Sequence, residues 1–316
     1  MISVQIFLFL CVVYDVYPVF ASVGDRSEIY LNCLYQCLDL NCSSTEKFAE
    51  KQQLIKKLFQ WDCPAECRYD CMWSTVDWFK KTKNTIPQFY GKWPFFRLFG
   101  IQEPASTLFS ILNGVAHYSH WKKFRKRIPN EHPMYYVYFT YGVVCINAWI
   151  WSTVFHTRDL HFTEIMDYIS ALLAVITSTF VLLVRVFDQN RGYKSALIAF
   201  FCFAFYLRHV NYLCFVKFDY GYNMTVALFF GLVNLFGSLL WYFLRKYQQP
   251  HVWKCAATAV LVNVLLLLEI VDFSAFFIFD THSLWHLSTI PLHRLWYSFA
   301  IDDCLYLIQM KKVKRE

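Results

Sequence analysis

The chain has 316 residues, of which 57% are hydrophobic and 20% aromatic, and its formal net charge is +7. A mean hydropathy of +0.31 is too high for an ordinary soluble protein of this length. The basic residues lie in short clusters between apolar segments, which argues against a nucleic-acid-binding domain and for a membrane topology signal. The sequence therefore predicts a multi-pass membrane protein without a nucleic-acid partner.

Residues 1–21, "MISVQIFLFLCVVYDVYPVFA", combine a short, interrupted apolar stretch with a small residue, Ala21, suited to cleavage. We interpret this segment as a signal peptide. Its start lacks Lys and Arg, and Asp15 lies near the apolar core, so an uncleaved membrane anchor is the alternative.

Residues 22–103 are more polar, and we expect them to form a small lumenal domain followed by an aromatic interfacial segment. This region contains six cysteines, an even number that indicates disulfide bonds after a signal peptide. Four-residue spacings place the cysteines on the facing sides of two helices. An antiparallel helical hairpin would then contain the disulfides Cys33–Cys71, Cys37–Cys67 and Cys42–Cys63.

A zinc knuckle is the weaker interpretation of these cysteines, because their spacing differs from the two-residue gap of common zinc sites. The stretch Asn41-Cys42-Ser43 is also a formal glycosylation sequon, which places a glycosylation candidate at Asn41 beside a predicted disulfide.

Windows long enough to cross a hydrocarbon layer of roughly 30 Å predict seven transmembrane helices within residues 104–310. They cover residues 104–121, 134–156, 165–186, 195–216, 223–243, 255–276 and 282–309. We therefore expect an all-α membrane protein with seven transmembrane helices and a small, disulfide-rich, helical lumenal N-terminal domain.

Basic residues set the expected orientation, because Lys and Arg collect in cytoplasmic loops. The first loop between spans contains "KKFRKR" (122–127), the third and fifth loops each carry two basic residues, and residues 311–316 read "KKVKRE". This pattern predicts a lumenal N-terminus and a cytosolic C-terminal tail. The tail also has the form of a dilysine retrieval signal, with an ordinary basic cluster after the last span as the alternative.

Polar side chains from three predicted spans share the lumenal end of the membrane. The second span ends at His156, with Ser152 one turn deeper on the same face. The third span carries Asp167 in its first turns, and the seventh begins with His282 and His286. Each residue alone has an ordinary interpretation, such as a helix cap or a backbone-bonded serine. Together they indicate function, because ionisable groups in membrane segments are costly.

A histidine pair four residues apart and a third histidine at the same depth have the geometry of a metal site. We expect His156, His282 and His286 to bind Zn²⁺ with one position open, which is the arrangement that activates water near neutral pH. Asp167 would orient or deprotonate that water, and Ser152 would donate a hydrogen bond to an acyl oxyanion. Candidates for hydrogen bonds that support the ligands are Asp159, Glu164 and His293.

Several motifs resemble those of known membrane hydrolases. The pattern S-x-x-x-H, an Asp eleven residues later and H-x-x-x-H in the last predicted span resemble the CREST superfamily, which includes alkaline ceramidases and adiponectin receptors. The stretches "CMW", "PQFYGKWPF", "QEPAS", "NAWIWSTVFHTRD", "MDY", "FDYGYN" and "LWHLSTIP" resemble the Per-like family across nearly the whole chain. The positions that match the superfamily motif are Ser152, His156, Asp167, His282 and His286.

The Per-like resemblance implies a phospholipase A2-type hydrolase that acts on glycosylphosphatidylinositol (GPI)-anchored proteins and their lipid moiety. It implies removal of the sn-2 fatty acid during lipid remodelling, in the membrane of the Golgi or the endoplasmic reticulum. The residues alone leave two alternatives: a hydrolase of another lumenal lipid such as ceramide, and a seven-span receptor with a structural metal. A transporter is disfavoured, because the ionisable residues gather at one surface instead of the midplane.

Overall fold

The computed structural model describes residues 22–42, 52–188, 192–269, 271 and 273–313. Three sequence predictions fall wholly or partly elsewhere. The signal peptide at residues 1–21, Ser43 of the sequon and residues 314–316 of the basic tail lie outside the described residues.

The N-terminal domain, which we call the head (residues 22–81), is helical as predicted. Its described helices are α1 (Val23–Arg26), α2 (Glu28–Asn41), α3 (Leu54–Leu58) and α4 (Cys63–Lys81). The Ser27 side chain accepts a hydrogen bond from the Tyr30 amide at the start of α2, and Asp62 accepts one from the Ala65 amide at the start of α4. These N-caps satisfy amides that have no partner inside the helix.

Three disulfides fasten α2 and the residue after it to α4. They join Cys33 to Cys71, Cys37 to Cys67 and Cys42 to Cys63. These are the same pairs that the antiparallel helical hairpin predicted. Because all six cysteines of the head are used in disulfides, none is left to bind a metal as a zinc knuckle. Tyr30, Val76 and Phe89 complete a small buried core around Cys71.

The rest of the described chain is a helical bundle with one short hairpin. Its helices are α5 (Pro104–Arg127), α6 (Tyr135–Thr157), α7 (His161–Phe187), α8 (Tyr193–Asn211), α9 (Tyr220–Arg245), α10 (Val252–Leu265), α11 (Thr281–Thr289) and α12 (Leu292–Val313). A π-helical turn (Tyr212–Val216) extends α8, and a 3₁₀ turn (Leu266–Glu269) extends α10. Antiparallel strands β1 (Ser274–Ala275) and β2 (Phe279–Asp280) precede α11, with Ser274 opposite Asp280.

Four described helices are long and apolar enough to cross a membrane: α6, α7, α8 with its π-helical turn, and α9. They coincide with the second to fifth predicted spans. The first, sixth and seventh predicted spans overlap α5, α10 and α12, which do not meet the same length and hydropathy criteria. The chain is therefore consistent with a multi-pass membrane protein, and the total of seven spans stays a prediction.

The last predicted span, 282–309, is two helices instead of one. α11 ends at Thr289 and α12 begins at Leu292, with Pro291 between them. Proline lacks an amide hydrogen and its ring clashes with the carbonyl four residues earlier, so a continuous helix breaks there. The sixth predicted span, 255–276, also extends too far, because its end is occupied by strand β1.

A segment that we call the strap (residues 87–103) joins the head to α5, where the sequence predicted an aromatic interfacial segment. Two tight turns shape it. Their central residues have positive φ angles, 52° and 78° at Tyr90 and Gly91, and 52° and 80° at Phe99 and Gly100. Positive φ at both central positions defines a type I′ turn, in which glycine is free of the strain that a side chain brings. The strap therefore doubles back twice between the head and the bundle.

Helices α5 and α6 approach each other closely at Gly142. The Trp121 side chain of α5 lies against this glycine, is buried, and donates a hydrogen bond to the Phe139 carbonyl at 3.3 Å. A Cβ atom at position 142 would overlap the Trp121 indole. The missing side chain thus permits the contact between the two helices.

We predict that Gly142→Ala lowers the free energy of unfolding by about 1–3 kcal/mol, because overpacking forces Trp121 to move. Gly231→Ala on α9 is the matched control, since its nearest neighbouring atom would be 3.7 Å away and alanine favours a helix more than glycine does. Thermal unfolding of the purified protein in detergent measures both variants. Equal melting temperatures would contradict the close approach at Gly142.

Candidate metal centre and active site

Three imidazole rings converge at one end of the bundle. Nε2 of His282 lies 3.3 Å from Nε2 of His156 and 3.0 Å from Nε2 of His286. The candidate ligand atoms of the three rings all lie within 4.8 Å of one another. His156 and His286 are buried, at 2% and 3% exposure. The structure therefore brings the three predicted metal ligands together.

Local helix geometry explains why these rings meet. His156 lies in the last turn of α6, and His282 and His286 lie one turn apart on the same face of α11. A capping box begins α11, in which the Ser283 amide donates to the Asp280 carboxylate at 2.8 Å and the Asp280 amide donates to the Ser283 hydroxyl at 3.0 Å. The first turn of α11, which carries His282, is thereby fixed.

Glu103, the last residue of the strap, holds His156 from the side away from the other rings. Its Oε2 lies 2.7 Å from Nδ1 of His156. Its backbone amide donates to the His156 carbonyl at 3.0 Å. When Nδ1 donates its proton to this carboxylate, Nε2 presents a lone pair towards His282. Glu103 therefore fixes both the orientation and the tautomer of His156.

Lys92 of the strap is the counter-charge of Glu103. Its Nζ lies 2.5 Å from Oε1 of Glu103 and 2.8 Å from Oδ2 of Asp159. Burial by itself would raise the pKa of Glu103, but Lys92 and His156 lower this pKa well below its usual range. Burial would lower the pKa of Lys92, yet Glu103 and Asp159 raise it above its ordinary value. The charged forms of Glu103 and Lys92 therefore stabilise each other, and Asp159 is paired with Lys92.

Asn113 of α5 fixes the far end of α11. Its Nδ2 donates to the His286 carbonyl at 2.7 Å, and its Oδ1 accepts from the Thr289 hydroxyl at 3.2 Å. The same Oδ1 lies 2.8 Å from Nε2 of His293. His293 therefore supports Asn113 and does not join the three converging rings.

Ser152 lies one turn before His156 on α6 and is 5% exposed. Its hydroxyl oxygen lies 3.0 Å from that of Ser110 on α5, which is fully buried. Each hydroxyl can donate to the other or to a third group. A hydroxyl pair is thus positioned one helical turn from a candidate metal ligand.

The predicted acids of α7 take different positions. Asp167 lies within electrostatic range of His156 and His282, but its carboxylate is not part of the group of candidate ligand atoms. Glu164, one turn earlier, lies beside the Tyr168 side chain. Asp167 is thus near the three histidines but is not a candidate metal ligand. Glu164 lies beside Tyr168 and not beside the histidines.

The donor set fits a zinc ion. Zinc–nitrogen distances of about 2.0–2.1 Å and tetrahedral angles separate ligand nitrogens by about 3.3–3.4 Å, close to the observed 3.3 and 3.0 Å. A neutral imidazole has one N–H, and His156 directs its N–H to Glu103, which leaves a lone pair on its Nε2. A cation between the converging Nε2 atoms accepts these lone pairs better than shared protons do. Nδ1 of His286 departs from the usual pattern, because it has no hydrogen-bond partner among the described residues.

Sequence reasoning missed four residues that support this site: Lys92, Glu103, Ser110 and Asn113. Glu103 had a detectable signal, since it is an acidic residue directly before Pro104 at the start of a predicted span. Lys92 had a weaker one, as a single cation inside an aromatic segment. Ser110 and Asn113 gave none beyond polarity within an apolar segment.

These features define the class of protein: a helical protein with several candidate membrane spans, a disulfide-bonded head and a three-histidine centre in which two of the rings are buried. The chain belongs to the Per1-like family, whose model matches residues 53–304. It is 41% identical over 298 residues to GPI-specific phospholipase A2-like PGAP3 of Danio rerio, with 93% of this chain and 94% of that protein covered.

Two further relatives show the same extent of similarity. The Homo sapiens protein of the same name is 40% identical over 297 residues, with 93% of this chain and 92% of the relative covered. Post-GPI attachment to proteins factor 3 of Drosophila melanogaster is 37% identical over 295 residues, with 90% of each chain covered. No solved structure matches the chain.

We predict that Lys92→Met lowers the free energy of unfolding by about 2 kcal/mol, because it leaves two neighbouring carboxylates without their cation. The cost is below that of a fully buried pair, since the Lys92 side chain is 30% exposed. Lys217→Met is the control, because that lysine is 67% exposed in its pair with Asp219 and should change stability by less than about 0.5 kcal/mol. Thermal unfolding in detergent compares them, and similar losses would argue against a special role for Lys92.

Proposed function

We propose that this protein is a GPI-specific hydrolase of the phospholipase A2 type, which removes the sn-2 fatty acid from GPI anchors during lipid remodelling. The observation that carries the proposal is the convergence of His156, His282 and His286, held by Glu103, in a chain of the Per1-like family. The names of the Danio rerio and Homo sapiens relatives, which specify both GPI and a phospholipase A2-like protein, support the substrate and the reaction.

In this proposal the three histidines hold Zn²⁺ through their Nε2 atoms. When bound, the ion supplies Lewis-acid chemistry that activates water and polarises an ester carbonyl. Glu103 keeps Nε2 of His156 free of its proton by accepting the N–H of Nδ1. Asn113 holds the backbone of His286, which has no hydrogen bond at its Nδ1 among the described residues. The protein thus orients two of the three ligands by different means.

The remaining catalytic roles fall to Asp167 and Ser152. Asp167 lies close to the rings but outside the ligand group, where its carboxylate can orient the attacking water and accept its proton. Ser152 donates a hydrogen bond to the oxyanion that develops on the ester carbonyl, with Ser110 fixing its hydroxyl. Cleavage of the ester would release the sn-2 fatty acid and leave a lyso-GPI lipid.

The proposal includes a lumenal head and a site that faces the lumenal leaflet of the Golgi or endoplasmic reticulum membrane. Three disulfides in the head support an oxidising compartment. The connection of the strap to His156 through Glu103 supports a site on the same side as the head. GPI glycans lie on that side, so the ester of a GPI lipid can reach the histidines without crossing the membrane.

We predict that the purified protein contains about one zinc ion per chain, the stoichiometry of a single three-histidine site, and that His286→Ala loses it. His161→Ala is the matched control, because His161 is an exposed histidine at the start of α7 that packs against Phe218. Elemental analysis of both variants in detergent, after removal of loosely bound metal, measures the difference. Equal zinc content would show that the histidines do not form the metal centre.

A second prediction concerns Asp167→Asn, which should retain zinc but lose more than about 100-fold in turnover, as expected when a general base is removed. Glu164→Gln is the control, because Glu164 is an acid one turn before Asp167 on the same helix and lies beside Tyr168. The measurement is lipid analysis of a GPI-anchored reporter in cells that lack this protein and are rescued with each variant at equal expression.

Wild type and Glu164→Gln should restore removal of the sn-2 fatty acid from the reporter, whereas Asp167→Asn should not. Rescue by all three would contradict the hydrolytic role of Asp167 and favour a receptor with a structural metal. Failure of wild type to change the reporter would contradict the GPI assignment, and ceramide would be the next substrate to test.

A further inference from the structure

A cavity lies between the head and the strap, beside the candidate site. We call it the cationic pocket. Its volume of about 250 Å³ is below the roughly 300–1,000 Å³ of sites that enclose a whole ligand, so it suits one part of a larger molecule. The charged residues of its wall are Arg68, Lys92, Arg97, Arg158 and Asp159, and most of its other residues are aromatic.

The excess of cations in this pocket is not explained by the enrichment of Lys and Arg in the cytoplasmic loops of membrane proteins. Lys and Arg collect on the cytoplasmic side of membrane proteins, whereas this pocket is on the side of the disulfide-bonded head. Four basic side chains face one acid on its wall, and the acid, Asp159, is already paired with Lys92. The pocket therefore favours an anion.

Two of the four cations have no carboxylate of their own in the described part of the chain. Arg97 is paired with Glu66 at 2.6 Å, and Lys92 has two carboxylates. Arg158 instead donates to backbone carbonyls, including that of Asp159 at 2.8 Å. Arg68 is exposed, and its guanidinium carbon lies 6.0 Å from the centre of the Tyr90 ring. Arg68 and Arg158 thus keep charge that a ligand can use.

Two of the guanidinium groups in the pocket are packed against aromatic rings and lie close to each other. The guanidinium groups of Arg97 and Arg158 lie 3.3 and 3.8 Å from the ring centre of Trp61, and Arg97 also lies 3.9 Å from that of Tyr69. Burial lowers the pKa of Arg97 to about 10, with Glu66 opposing this effect and Arg158 adding to it. Two guanidinium groups on one indole repel each other, and an anion would relieve that repulsion.

The pocket adjoins the candidate site through shared residues. Lys92 is part of its wall and also binds Glu103, which holds His156. In a GPI lipid, the headgroup phosphate is attached to the glycerol carbon next to the one that carries the sn-2 ester. A site for the headgroup must therefore adjoin the site where that ester is cleaved, and the cationic pocket has this position.

We propose that the cationic pocket binds the phosphodiester and the adjoining inositol of the GPI headgroup while the sn-2 ester lies at the histidines. Guanidinium groups donate charge-assisted hydrogen bonds to phosphate oxygens. Ring carbons of the inositol pack against the aromatic walls. The inference rests on the proposed function and adds to it the feature that selects a phosphoinositol lipid over a neutral one such as ceramide.

Arg68→Gln is the test variant, because Arg68 is exposed and its loss leaves the packed Arg97–Trp61–Arg158 stack intact. Lys81→Gln is the matched control, since Lys81 is an exposed cation on the same helix, α4, and is not part of the pocket wall. The full-length proteins in detergent micelles are titrated with glycerophosphoinositol, inorganic phosphate and myo-inositol by calorimetry.

We expect glycerophosphoinositol to bind wild type and Lys81→Gln equally, and Arg68→Gln about three- to tenfold more weakly, the effect of one exposed charged contact. Inorganic phosphate should bind more weakly than glycerophosphoinositol, and myo-inositol most weakly. The proposal is overturned if wild type does not bind glycerophosphoinositol, if the two variants bind it equally, or if inorganic phosphate binds as tightly.

The same titration with Asp167→Asn separates this proposal from the proposed function. Binding of glycerophosphoinositol by a variant without turnover supports the pocket independently of catalysis. If the GPI reporter is processed normally but glycerophosphoinositol does not bind, the hydrolase assignment stands and the pocket assignment fails. If it binds but the reporter is never processed by wild type, the pocket stands and the hydrolase assignment fails.

Discussion

The carboxylate of Glu103 is the contact on which the rest of the site depends. One of its oxygens faces Nδ1 of His156 and the other faces Nζ of Lys92. A buried carboxylate is stable only when charged and polar partners surround it. The shape of the strap follows from this requirement, because its first type I′ turn ends at Lys92 and its last residue is Glu103. The strap therefore folds back so that Lys92 and Glu103, eleven residues apart, form an ion pair beside His156.

The head extends this arrangement to the second ligand-bearing segment. Trp61 donates a hydrogen bond to the Gly100 carbonyl of the strap at 2.9 Å. Trp73 stacks on Phe96 of the strap at 4.1 Å and meets Phe277, in the hairpin before α11, at 5.2 Å. The disulfides keep the two helices of the head together under these contacts. The head thus braces both the strap, which holds His156, and the hairpin that leads to His282 and His286.

What the sequence reveals here depends on whether a regular spacing on a helix links the residues concerned. The pair His282 and His286 and the disulfide pairs were predictable, because four-residue spacing on a helix fixes which side chains share a face. The contact between Glu103 and His156 was not, since 53 residues separate them and no local periodicity links a strap residue to a helix end. The break at Pro291 was missed for a different reason, because hydropathy over 282–309 does not register the loss of one backbone hydrogen bond.

Two of the helices that carry or support the histidines, α5 and α11, lack the length or the hydropathy of a membrane span. α5 contributes Ser110 and Asn113, and α11 contributes two histidines, yet neither helix is among the four that are long and apolar enough to cross a membrane. Ser110 and Asn113 are fully buried, with partners on α6 and α11, so their polar groups avoid the penalty that an unpaired group would suffer in hydrocarbon. α5 packs against α6, α11 and α12 and belongs to the bundle. Mean hydropathy does not register this pairing, because it depends on the composition of one helix and not on the partners that its polar atoms find in other helices.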